Sequence, residues 1–129
     1  MKESKKEAIY WLKKAEEDLK VVNILSERTD ANEITTSIGF HCQQAIEKCL
    51  KAFLVFHEID FKKTHDLNKL RDVCAEKDLE FAILEFGNLI DFAVDFRYPD
   101  EAYIPELEEI LNYKSLATNI KLLLERKIV

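Results

Sequence analysis

Residues 40–57 read FHCQQAIEKCLKAFLVFH. Wound as a helix, the run places His41, Gln44, Lys48 and Lys51 within about 80° of arc. Imidazole, amide and ammonium groups together suit phosphate oxygens and the edges of nucleobases. The same side chains also suit an ordinary solvated face, with Glu47 and Lys51 paired one turn apart. Phe40 and Leu54 lie on this side too, so a face covered by a ligand or a second chain stands as an equal alternative. The opposite side, Cys42, Ala45, Ile46, Cys49, Phe53 and Phe56, is a core stripe. His41, at the edge of that stripe, also reads as a helix histidine with a local partner.

Two further clusters carry polar chemistry. THDLNKL contains His65 and Asp66 at a helix start. There Thr64 or Asp66 caps the helix, or the free backbone N–H groups receive an anion. FRYPD brings Arg97 and Tyr98 to a helix end, near Asp91, Asp95 and Asp100. Arg97 can neutralise Asp95 or Asp91 in a turn, or grip a phosphate while Tyr98 stacks on a base. The candidate nucleotide-binding set is therefore His41, Gln44, Lys48, Lys51, His65, Asp66, Arg97 and Tyr98. No Gly-rich phosphate loop, H-E-x-x-H or G-x-S-x-G occurs. The three histidines lack metal-ligand spacing. No catalytic residue, metal or cofactor is assigned.

These residues need helices to carry them. Only two glycines and two prolines interrupt 129 residues, which leaves little room for a turn-rich β protein. Ser4 and Glu7 have capping-box spacing ahead of an apolar stripe from Ala8 to Leu25. A second helix is expected from Asn32 or Glu33 to His57, with Gly39 allowing close approach of a neighbour. A short third helix puts Leu67, Leu70, Val73 and Cys74 inward. A fourth is expected from Asp78, carrying Leu79, Ala82, Ile83, Phe86, Leu89, Ile90, Ala93 and Val94, and ending before Tyr98 because Pro99 disfavours helix ahead of it. Pro105 suits the first turn of the last helix, whose stripe is Leu107, Ile110, Leu111, Ala117, Ile120 and Leu124. The expected fold is all-α: an up-and-down four-helix bundle with a short extra helix, forming one domain over residues 1–129.

A formal net charge of −6 argues against a general nucleic-acid binder held by charge alone, and leaves room for a local basic patch. The longest apolar run, AFLVF, is far too short to span a membrane. The start lacks the apolar centre of a signal peptide. Cys42, Cys49 and Cys74 form no C-x-x-C pair and fit a reducing compartment. A cytoplasmic protein is expected. Phe40, Leu54, Phe61 and Phe96 look surplus to one small core, which points to a homodimer.

Trp11, Ala15 and Asp18-Leu19, then FHCQQAIEKCLKAFL, THDLNKL and RYPD, in this order, resemble the HEPN domain family of small prokaryotic proteins. The resemblance implies an all-α bundle, usually homodimeric, that partners a minimal nucleotidyltransferase and supplies a nucleotide- or substrate-binding subunit, in some cases in a toxin–antitoxin-type pair. A nucleotide or an RNA end is the implied ligand. One branch of the family comprises metal-independent ribonuclease toxins, marked by Arg followed four to six residues later by His. Here Arg97 is followed by YPDEAYIP, without His, and Phe92 stands where a Tyr is frequent. A ribonuclease toxin and a non-catalytic dimeric interaction module are the alternatives.

Overall fold

The computed structural model describes residues 2–93 and 104–128. Four α-helices carry the fold: α1 (Lys2–Ser26), α2 (Thr35–Phe56), α3 (Leu67–Lys77) and α4 (Leu107–Ile128). Short 3-10 segments cover Ala31–Glu33, Leu79–Ile83 and Gly87–Ala93. The fold is all-α, as expected, and among the described residues there is no strand. Among the described residues no helix is long and apolar enough to cross a membrane.

The second helix is the centre of the bundle. It packs on α1, α3, α4 and the 87–93 segment. Cys42, Ala45, Ile46, Cys49 and Phe53 are buried, as their spacing predicts, while Phe56 is half-buried. Leu54 departs from expectation: it is fully buried, so it belongs to the core and is not available to a dimer face. Burial pushes the thiols of Cys42, Cys49 and Cys74 up to about 12, and all three are free. They pack as small apolar groups.

Gly39 does what a small residue in a poor helix former suggests. A Cβ there would lie 3.1 Å from Ile110 Cδ1 and 3.1 Å from Phe92 Cγ. The α2 backbone thus meets α4 and the 87–93 segment directly.

The fourth apolar stretch is not the continuous α-helix expected from Asp78. Asp78 does cap a helical turn, accepting from Glu80 N at 3.0 Å, but that turn is 3-10 and stops at Ile83. Leu84 is extended, and Gly87 has φ 53°, outside the right-handed helical region. Arg71 Nη1 donates to Leu84 O at 2.9 Å and holds the break. The 3-10 winding repeats every three residues, so Phe86, Leu89 and Phe92 share the inward face. Leu79 and Ile83, expected inside, are 80% and 77% exposed, and Ala82 is exposed as well. Val94, Asp95, Phe96 and the helix end before Tyr98 lie outside the described residues.

The other ends differ less. α1 begins ahead of Ser4, so the Ser4–Glu7 pair sits inside the helix and not at its cap. α4 begins at Leu107, after a buried Pro105, and its Leu111 is 40% exposed. At its far end Lys127 reaches Asp78 at 2.7 Å and Glu80 at 2.8 Å, tying α4 to the 79–83 turn.

Candidate functional site

The polar side chains of α2 follow one another around the helix in the order Gln43, Glu47, Lys51, Gln44, Lys48, His41, covering about 160° of arc. Asp18 of α1 closes one edge of this strip, and His65 of the α2–α3 connection closes the other.

At the α1 edge, Asp18 has two partners on α2. His41 Nδ1 lies 2.9 Å from Asp18 Oδ1, and Lys48 Nζ bonds to Asp18 Oδ2. Asp18 falls in the stripe Ala8, Trp11, Ala15, Val22, which explains why its carboxylate is nearly enclosed (11% exposed). A carboxylate only accepts, so a His41 proton sits on Nδ1 in this contact, and Nε2 has no partner among the described residues.

At the other edge, Glu47 is the hub. Its carboxylate accepts from Lys51 Nζ at 2.9 Å and from Gln43 Nε2 at 3.1 Å, and His65 Nδ1 lies 3.0 Å from its Oε1. Burial alone would raise the Glu47 carboxyl; the bonds from Lys51, Gln43 and His65 outweigh it and hold the carboxyl below its usual range. Gln43, fully buried, also donates to the His65 carbonyl at 3.2 Å, so backbone and ring of His65 are both fixed to α2. Lys51 is enclosed, with its ammonium 5.8 Å from the centre of the Trp11 ring. Gln44 Nε2 donates to Gln43 Oε1 at 2.7 Å and so joins this network from the surface side. No buried side-chain nitrogen or oxygen among the described residues is left without a hydrogen-bond partner.

The candidate residues therefore divide. His41, Gln44, Lys48 and Lys51 share the strip, as their spacing predicts, and His65 is brought to it by the fold. Asp66 is the cap of α3: its Oδ1 accepts from Asn68 N at 3.0 Å and from Lys69 N at 3.3 Å. Arg97 and Tyr98 lie outside the described residues. The Glu47–Lys51 pairing read from the sequence is present, but inside the protein and not on its surface.

Asp18 and Gln43 belong to the strip's hydrogen-bond network without having been singled out by residue spacing, and Glu47 was read there only as the surface partner of Lys51. A signal was there. Asp18 occupies a core position of α1, and Gln43 and Glu47 share the spacing of Leu50 and Leu54 on α2. A charge at a core position needs a buried partner.

Each lysine on the strip already has a carboxylate, so the strip is close to neutral. What it leaves uncommitted among the described residues is hydrogen-bonding capacity: Nε2 of His41, Nε2 of His65, whose side chain is 65% exposed, and the partly exposed ammonium of Lys48. The Lys48 ammonium can donate to phosphate oxygens, and each imidazole can do so at Nε2 when doubly protonated; in the neutral ring, with Nδ1–H on the carboxylate, Nε2 accepts and can take up a proton. Among the described residues no group of three or more His, Cys, Asp or Glu is placed to hold a metal ion.

The chain matches the HEPN domain over residues 8–127, nearly its whole length. No curated protein and no solved structure gives a match. The matched span includes both edges of the polar strip and the Arg97 segment, and the family connects the chain to nucleotide- or RNA-related function. The protein belongs to the HEPN domain family.

Proposed function

We propose that this HEPN chain binds a nucleotide or an RNA end on the polar strip of α2, as the substrate-binding subunit of a minimal nucleotidyltransferase. The observation that supports this reading best is the pair of imidazoles on one strip, each with Nδ1 on a carboxylate and Nε2 without a partner among the described residues, beside Lys48. His41, Gln44, Lys48 and His65 contact the ligand. Lys51 and Asp66 hold the wall in place, through Glu47 and through the start of α3. Arg97 and Tyr98 complete the site with a guanidinium for phosphate and a ring for a base. The protein works as a cytoplasmic, single-domain homodimer in a toxin–antitoxin-type pair.

Titration with ATP, the other ribonucleotides and short RNA tests the ligand. Saturable binding that falls at least tenfold in K48A/R97A supports the reading; no binding, or binding unchanged in the double variant, overturns it. Light scattering tests the dimer: a species of only 15.1 kDa at micromolar concentration contradicts it.

The oriented imidazoles also favour a second reading, metal-independent RNA cleavage. One imidazole would take the 2′-hydroxyl proton as that oxygen attacks phosphorus, and a protonated group would give a proton to the departing 5′ oxygen. Cleavage of RNA in EDTA, lost in H41A or H65A, would select it.

A further inference from the structure

A hollow of about 530 Å³ lies between residues 60–64 and α3. Its floor is apolar: Phe61, Leu70 and Val73. Its rim carries Lys62, Lys63 and Lys69, all exposed. None of these three ammonium groups has an ion partner among the described residues, whereas Asp72 on the same rim is held by Arg71 at 3.0 Å. Among the described residues Asp60 has no ion partner. The hollow thus combines a half-exposed aromatic ring with three uncommitted cations in a chain whose net charge is −6.

We propose that this hollow holds one unit of a single-stranded RNA whose next unit lies on the α2 strip. The base stacks on Phe61, and Lys62, Lys63 and Lys69 meet the flanking phosphates. Thr64 lines the hollow, and the following residue, His65, is bonded to Glu47 on α2, so the two places adjoin along the chain. A neighbouring acidic hollow disfavours a polyanion. Asp60 and Phe61 also line a second hollow, of about 630 Å³, whose other charged lining residues are Glu3, Glu7 and Glu58, with no lysine. A strand leaving the lysine hollow therefore runs past His65 toward Lys48. This inference rests on the nucleotide-binding reading above and extends it from one nucleotide to a strand.

The test compares uridine monophosphate with a hexauridylate by calorimetry, on the wild type, on K62A/K63A/K69A, and on F61A and F61W. The wild type binds the oligonucleotide at least tenfold more tightly than the mononucleotide. The triple lysine variant loses that advantage, and its slope of log affinity against log salt shrinks by roughly 2, for three phosphate contacts on a single strand. Mononucleotide binding on the α2 strip stays unchanged. F61A loses roughly tenfold in oligonucleotide affinity, the size expected for one stacked base, while F61W, which keeps a stacking face, retains it. Equal affinity for the two ligands in the wild type, or an undiminished advantage in the triple variant, overturns the strand path while leaving the nucleotide reading intact. A wild type that binds neither ligand overturns both. The lysines are exposed, so the triple variant decides the matter even if F61A fails to fold.

Discussion

Glu47 holds His65 across eighteen residues of chain, with His65 Nδ1 3.0 Å from one carboxylate oxygen and 3.2 Å from the other. Through this contact a buried side chain of the central helix fixes an exposed imidazole of a connecting segment. The same carboxylate neutralises Lys51, so packing and site geometry depend on one residue.

Replacing Glu47 with Ala leaves the Lys51 ammonium enclosed without its counter-charge. Loss of one partner from a buried pair costs about 3–5 kcal/mol. Urea unfolding should show a fall of that size. The pH dependence has a definite sign. The folded Glu47 carboxyl sits below its ordinary value of 4.5, so its contribution to stability is fully present above that value and is lost as pH falls through the lower, folded one. Glu47→Gln should flatten the stability profile below about pH 4.5, the ordinary value of the carboxyl. An unchanged acid limb would contradict the assignment.

Gly39 tests the close approach at the centre of the bundle. Ala should gain about 1 kcal/mol in helix propensity. Against this, the new methyl group would press on Ile110 and Phe92, both buried. Overpacking of such a site costs about 1–3 kcal/mol. Gly39→Ala should therefore come out neutral to destabilising by about 2 kcal/mol, and Gly39→Val markedly worse. A stabilised Gly39→Val in thermal unfolding would show that the contact yields freely.

Glu58 ends α2 in the left-handed region, with φ 55°. Ile59 N donates to Leu54 O at 2.9 Å and Glu58 N to Val55 O at 3.0 Å, the pattern of a helix end that glycine favours. Glu58→Gly should stabilise the protein by up to about 1 kcal/mol, since glycine adopts this conformation without strain. Denaturant midpoints of the two proteins provide the check, and a lowered midpoint would mean that the Glu58 side chain contributes more than its backbone costs.

Much of this architecture was legible in the residues. The stripes of α1, α2 and α4 follow the helical repeat, and Asp66 sits where a cap belongs. The 78–93 stretch was not legible as what it is, because Leu79, Ala82, Ile83, Phe86 and Leu89 also fit a 3.6-residue repeat. The threefold spacing of Phe86, Leu89 and Phe92, with Gly87 among them, was the competing signal. The strip on α2 was legible as a set of donors but not as a set of closed pairs. Spacing along one helix shows which side chains share a face; it does not show that Asp18 arrives from α1 or His65 from beyond α2. Those two contacts depend on tertiary packing, and they decide which atoms of the strip remain free.

The measurement that bears most directly on the central claim is calorimetric titration of the purified protein with ribonucleotides and short RNA, for the wild type and for K48A/R97A. Saturable binding by the wild type, weakened at least tenfold by the two substitutions with folding intact, is the expected result. A correctly folded wild type that takes up no nucleotide and no RNA would contradict the account.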